Sequence, residues 1–347
     1  MFALAARFSD LTYLKDLAPT ERGKPYAAEA VKVYDSSRQA PEEPNMNHLQ
    51  GSILLAFFFY TTGPSSKAWV LTGILIRLAY DLEVDQTDKI GRNVFPSKDW
   101  IELEEIRRAW WLVWELDTFA SITCNRPFAI PREEVPVFLP VSDEAWFSGT
   151  STASTTLKTT PEDAWKSLQG SENQNPRAWF LVANYLSSVA LAPQSRSYED
   201  ILSMDLSVNC FRFALPKAFH PPFQRHLSCD QMAERNWVIC TFLTLSAYKA
   251  LQVPNNLLAT ATADYDPRIN SLRAFNAELA YIVDAWPTDA LTVCQPLIAC
   301  TLIASHHLSR GLSDSLEDSS IRLGRALIEE LLKRFAATWE IGMNLLS

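Results

Sequence analysis

Apolar residues recur along this chain at spacings of three and four, and the breaks between the runs carry proline and glycine. Leu103, Ile106, Trp110, Val113, Asp117 and Ala120 trace one face of a helix, and Trp111, Trp114 and Thr118 trace a neighbouring one. Two apolar faces on one helix predict that other helices wrap most of its girth. Its start is marked by Asp99 with Glu102 three residues on, the pattern of a capping box. Glu102, Glu104 and Glu105 set negative charge at the positive end of the helix dipole.

The same reading predicts helices over 2–17 and 24–39, split by Pro19, Gly23 and Pro25. Another covers 47–61 and stops at Gly63 and Pro64. The next runs from a cap at Ser65 or Ser66 to about 83, with Trp69, Ile74, Leu75, Leu78 and Leu82 inward and Arg77 paired to Asp81. Beyond Cys124, Asn125 and Pro127 end the central helix, and Pro131, Pro136 and Pro140 keep the chain extended. Residues 142–160 are rich in Ser and Thr and predict a mobile surface loop. Thr160 and Pro161 open a further helix, and 170–177 is a polar break. Long helices are expected over 178–192, 196–212, 230–251, 267–285, 290–309 and 315–345. On the last, Leu323, Leu327, Glu330, Leu331 and Phe335 form an amphipathic stretch expected to pack internally. The alternation that marks strands is absent. The expected fold class is all-α: one multi-helix domain over 1–347, with a signature part at 50–140 and a looser helical part at 178–347.

Composition supports this. Of 347 residues, 48% are hydrophobic, enough for a sizeable core, and only 10 are glycine. That scarcity argues against glycine-rich phosphate loops. The net charge is −9 and no Lys/Arg block occurs, so neither nucleic-acid contact by this chain nor docking on an anionic membrane is expected. The six cysteines contain no CxxC pair and read as buried, reduced thiols.

Candidate chemistry is sparse. No nucleophile elbow, HExxH or phosphate loop occurs, so no catalytic residue and no cofactor is expected, and the chain is not read as an enzyme. His226, Cys229 and Cys240 fit no standard metal spacing. His306 and His307 are neighbours on a helix and point about 100° apart, too far to share one ion. Asp117 is the odd member of its apolar stripe. A lone carboxylate there is costly, so a basic partner is expected, Arg126 first, then Arg108 or Arg77. Arg108, Asp117 and Arg126 are thereby expected to lock the helix to the loop after it.

The order of segments resembles the regulatory middle region of fungal transcription factors of the binuclear zinc-cluster class, the fungal-specific transcription factor domain. The likeness is carried by ALAARFS from Ala3, by Ala68–Leu82, and above all by Glu105–Pro140. That signature holds Arg107, Arg108, Trp110, Trp111, Asp117, Arg126, Pro127 and the VPVFLP tail. A weaker echo is FRFALPKAF from Phe211. The resemblance implies a nuclear regulator of transcription, controlling a specialised-metabolite or catabolic gene set. It also implies protein partners, either transcription machinery or a zinc-cluster relative, homodimerisation, and a small-molecule effector held between helices. Members usually carry a six-cysteine zinc cluster ahead of this region, and none precedes Met1 here. Direct DNA contact is therefore not expected of this chain. Two alternatives stay open on the residues: a pathway enzyme built on the same scaffold, and an inhibitory partner of a full-length relative.

Overall fold

The computed structural model describes residues 1–39, 43–91, 94–124, 126–191, 198–220, 228–251, 268–286, 290–291, 293–310 and 319–346. The fold is all-α: among the described residues every regular element is helical, apart from one antiparallel bridge between Phe138 and Thr156. The chain divides into two compact units. The first comprises Met1–Ile130 with Leu332–Ser347, and the second Pro131–Leu331.

The first unit begins with α1 (Phe2–Ala5), α2 (Thr12–Lys15) and α3 (Pro19–Arg22). The single helix expected over 2–17 is therefore broken, and Arg22 explains how. Its guanidinium donates to the carbonyls of Arg7, Ser9 and Leu17 at 3.3, 3.0 and 2.9 Å. It thus satisfies acceptors that a continuous helix would have bonded itself. Three longer helices follow: α4 (Lys24–Gln39), α5 (Met46–Thr61) and α6 (Ser66–Asp81). Gly23 lets α4 start close to α1, since a Cβ there would sit 2.1 Å from the Ala3 carbonyl oxygen. Asn45 and His48 form a reciprocal capping box on α5, and Ser65 caps α6 as expected.

The buried stripe of α6 is Ala68, Leu71, Thr72, Leu75, Ile76 and Ala79. Trp69, Ile74, Leu78 and Leu82, expected inward with Leu75, are only half-buried. Arg77 is exposed and donates to the Gly73 carbonyl at 2.9 Å instead of pairing with Asp81.

α7 (Trp100–Cys124) carries the centre of this unit and packs on α5 and α6. From Ile106 to Ser121 every residue but Leu112 is buried. The capping box forms as expected: Glu102 N–H donates to Asp99 at 2.9 Å, and Asp99 N–H to Glu102 at 3.1 Å.

The C-terminal residues also belong to this unit, which periodicity did not reveal. Arg7 is buried with its guanidinium 3.9 Å from the centre of the Trp339 ring. Burial pushes its pKa down to about 10 although Glu340 opposes the shift. Lys24 pairs with Glu340 at 2.7 Å, and the Asn344 amide donates to the Thr62 carbonyl.

The second unit holds α8 (Asp143–Ser148), α9 (Pro161–Ala164), α10 (Pro176–Leu191), α11 (Tyr198–Ala214), α12 (Cys229–Leu251), α13 (Arg268–Ala285) and α14 (Ala299–Arg310). α12 is its axis, packing against α10, α13 and α14. Phe180 meets Trp237 at 5.1 Å, and Trp179 meets Phe211 at 5.5 Å. Asn236 accepts from the Trp286 indole at 3.0 Å and donates to the Ala290 carbonyl at 2.9 Å, so its buried amide is used at both ends.

The polar stretch 142–160 is a loop apart from α8, but it is fastened rather than loose. Leu139 N–H donates to the Thr155 carbonyl at 2.8 Å, and Ser154 Oγ donates to the Leu139 carbonyl at 2.6 Å. Val135, Val137, Leu139 and Val141 alternate into the core, giving the proline-held tail a strand-like face without a sheet.

Two last helices are α15 (Ser319–Ala336) and α16 (Ile341–Leu346), in place of one over 315–345. Residues 315–318 of that expected helix lie outside the described residues. The buried face of α15 runs through Ile321, Gly324, Ile328, Leu331, Leu332 and Phe335. Leu323 and Glu330, expected on the packed stripe, are exposed, so the stripe is turned by about one residue (roughly 100°). Gly324 permits this packing, because a Cβ there would overlap the Asn276 side chain at 2.0 Å.

His306 on α14 is 2% exposed, with Nε2 3.3 Å from Glu329, whereas His307 is exposed. Burial holds the His306 pKa below its ordinary 6.5, assisted by Arg310 and His307, and Glu329 only partly opposes this. The unfolded chain then binds a proton that the folded chain resists, so this site's contribution to stability is lost as pH falls below about 6.5. The melting temperature should drop between pH 7 and pH 5, and by less in His306→Gln. An equal drop in both proteins would refute the assignment.

Candidate functional site

The residues singled out by pattern lie on α7 and the loop after it. α7 carries cations where an apolar helix should not, and its surroundings answer each one. Arg107 Nε and Nη2 donate to Asp88 at 2.8 and 2.6 Å, a fork on a carboxylate. Both side chains are less than a tenth exposed. Glu104, fully buried, takes Arg108 Nε at 3.2 Å and lies 3.6 Å from Arg107 Nη1. Burial alone would lower the Arg107 pKa, but Asp88 and Glu104 outweigh it and hold it above the ordinary value. Two arginines and two carboxylates thus form one network under the tryptophans.

Trp110, Trp111 and Trp114 are essentially inaccessible. Trp111 and Trp114 meet edge-on at 5.6 Å, and Trp110 meets Tyr80 of α6 at 5.9 Å. With no exposed ring face, they form core rather than a stacking platform.

Asp117 is buried, and its carboxylate accepts from the N–H groups of Ala129 and Ile130 at 3.0 and 3.1 Å. The expected first-choice cation is elsewhere. Arg126 is exposed, with its guanidinium 4.9 Å from the centre of the Trp69 ring on α6. Arg77 is likewise engaged on its own helix, and Arg108 is on Glu104. Ser121 adds a second tie, donating to the Pro127 carbonyl at 3.2 Å, while Arg126 N–H closes on the Ser121 carbonyl at 2.9 Å. The lock between α7 and its loop therefore exists, but Asp117 makes it through backbone amides. A carboxylate two turns before the helix end can reach the returning chain directly, and two amide donors meet it there.

Pattern reasoning missed Asp88, which lies 19 residues before Arg107 in an irregular segment. The available signal was Arg107 itself: a cation on a nearly all-buried helix requires an acid beyond its own turn. It also missed Asn173, 2% exposed, which donates to the Leu139 and Pro140 carbonyls at 3.3 and 3.0 Å and to Ser154 at 2.9 Å. Asn175 reaches the Val141 carbonyl at 2.9 Å. Together they hold the VPVFLP tail. Of the three residues weighed for a metal, His226 lies outside the described residues, and Cys240 contacts Cys294 with sulfurs 3.4 Å apart.

As chemistry, the cassette is a clamp. Asp88, Glu104 and Asp117 are each committed to a protein donor, and they tie α7 to the segment before it and to the loop after it. Among the described residues no helix is long and apolar enough to cross a membrane.

Residues 1–203 match the family model described as the fungal specific transcription factor domain. Among similar proteins is a Zn(2)-C6 fungal-type transcription factor of Fusarium oxysporum f. sp. lycopersici, FTF1c, 29% identical over 147 residues, covering 41% of this chain and 16% of that protein. The pigment biosynthesis transcriptional activator pigB of Monascus ruber is 26% identical over 155 residues, covering 43% and 27%. Transcription factor AN6788 of Emericella nidulans is 24% identical over 146 residues, covering 42% and 20%. The matched part therefore spans between 16% and 27% of the length of these relatives. No solved structure matches the chain.

Arg107→Ala would strand Asp88 and Glu104 and should cost about 3–5 kcal/mol of unfolding free energy. Asp117→Ala leaves two amides unpaired and should cost about 2–4 kcal/mol, with Asp117→Asn costing less because one acceptor remains. Denaturant titration of the three variants checks both. An unchanged midpoint in Asp117→Ala would sink the amide lock.

Proposed function

Because the chain belongs to the fungal specific transcription factor domain family, matched over residues 1–203, we propose that it is the regulatory helical body of a transcription regulator. The observation that carries this reading is that match, spanning more than half of the chain's 347 residues, together with relatives named as transcription factors and a transcriptional activator. The geometry supports it from another side. The signature residues Arg107, Arg108 and Asp117 are each bonded within the fold, which supports a structural role for the cassette in presenting or masking surfaces.

On this reading the chain acts in the nucleus through protein partners, either transcription machinery, a zinc-cluster relative or a second copy of itself. A small-molecule effector sets its state by favouring one of two conformations. Its net charge of −9 favours contact with proteins over direct contact with DNA. The pigment-biosynthesis name of one relative supports control of a specialised-metabolite gene set.

The test fuses the chain to a heterologous DNA-binding module with its operator upstream of a reporter, alongside deletion of the native gene. Reporter output should change several-fold, and deletion should alter transcripts of several genes together. A silent reporter with unaltered transcripts and one accumulating intermediate would replace this reading with the enzyme alternative.

A further inference from the structure

α4 buries little of its described surface. Of its residues 24–37 only Ala27 is buried, packed with Ala3 and Phe58. Beyond Ala27 the helix stands off α5 and α6, leaving a cavity of about 610 Å³ on one side and about 420 Å³ on the other, both bounded by Tyr34, Leu55 and Ile74. The larger is lined chiefly by apolar side chains, among them Leu4, Val33, Leu54, Phe58, Ile74 and Leu78. This accounts for Ile74 and Leu78, which belong by pattern to the core face of α6 yet remain half-buried.

The larger cavity has polar groups on α4, at Tyr34 and Ser37, and on α5, at Asn47, His48 and Ser52, and His48 is fixed. His48 Nδ1 accepts the Asn45 N–H at 3.3 Å in the capping box. The neutral ring therefore carries its proton on Nε2, leaving a donor at a wall shared with Asn47 and Ser52. Ser52 spends its own hydrogen on the His48 carbonyl at 2.7 Å and so offers only lone pairs. Among the described residues no Lys, Arg, Asp or Glu side chain lines the cavity. Its volume lies within the roughly 300–1,000 Å³ range of small-molecule sites, which share this make-up of apolar walls and few placed polar groups.

We propose that the cavity between α4, α5 and α6 binds a neutral, largely apolar small molecule whose one hydrogen-bond acceptor, a ketone or ester carbonyl, takes the His48 Nε2–H. A neutral ligand is favoured because, among the described residues, no charged side chain lines the walls. The site gives a place and a chemistry to the effector of the regulatory reading, and rests on that reading for its purpose but not for the binding itself.

The probe is 6-propionyl-2-(dimethylamino)naphthalene, a neutral fluorophore with a terminal ketone, titrated into the full chain. Saturable blue-shifted emission at one equivalent is expected. Gly51 lines the cavity, and a Cβ there meets nothing within 4 Å, so Gly51→Leu would fill the space. That change also improves helix propensity, so the fold should hold. Affinity should fall at least ten-fold with the melting temperature unchanged or raised. His48→Phe should weaken the ketone probe several-fold and spare its propyl analogue, which lacks the carbonyl. Non-saturable binding, unchanged affinity in Gly51→Leu, or equal loss of both probes in His48→Phe would overturn the proposal. So would probe release on raising protein concentration, which would give the cavity to a second copy. A reporter response without probe binding overturns the site and leaves the regulatory reading standing; binding with a silent reporter does the reverse.

Discussion

The first unit depends on charge that has been taken out of water. Arg107 and Arg108 sit on a helix whose middle is buried almost without interruption, beside Trp110, Trp111 and Trp114. An arginine in that setting must be paired or it will not stay. Asp88 and Glu104 meet the requirement, and in doing so they dictate where the segment before α7 must lie. An apolar pair of the same volume would give similar stability with less directional demand. What the ion network adds is geometry. A fork on Asp88 closes in one arrangement, so α7 and the irregular segment holding Asp88 cannot slide past each other while both bonds persist.

The same logic extends along α7 by a different device. Asp117 is buried as deeply as the arginines, and its carboxylate accepts from two backbone N–H groups of the loop. Side-chain cations can be reached from many directions, whereas two successive amides fix the course of the chain itself. The exposed Arg126 is then released to stack on Trp69, where its charge stays in contact with solvent. Buried acids of the cassette thus serve in two ways: Glu104 neutralises, and Asp117 shapes.

How much of this was readable follows from how local each interaction is. α7, its capping box and the cap of α6 are visible in the chain because they connect residues three or four positions apart. The break in the first expected helix was not, because Arg22 acts across 13 and 15 residues on carbonyls that carry no side-chain label. Asp88 and Asn173 escaped for the same reason. Periodicity reports that a residue faces inward and is silent about what it meets there. α15 shows the finer limit: its amphipathic character was plain, but Leu323 lies outward because Gly324, the least hydrophobic member of the face, is the position that permits close approach.

α6 carries the converse lesson. Its apolar positions are more numerous than its core can use, and the surplus, Ile74 and Leu78, borders empty space. Leaving such surface unpacked forfeits stabilisation of about 25 cal/mol per Å². α4, which buries only Ala27 among its residues 24–37, is the element placed to close over an occupant without disturbing the ion network on α7. The unit therefore pairs a stiff floor, set by buried charge, with a lightly held wall. A regulatory body needs that combination, since a ligand can shift a conformational equilibrium only where part of the structure holds its shape and part does not.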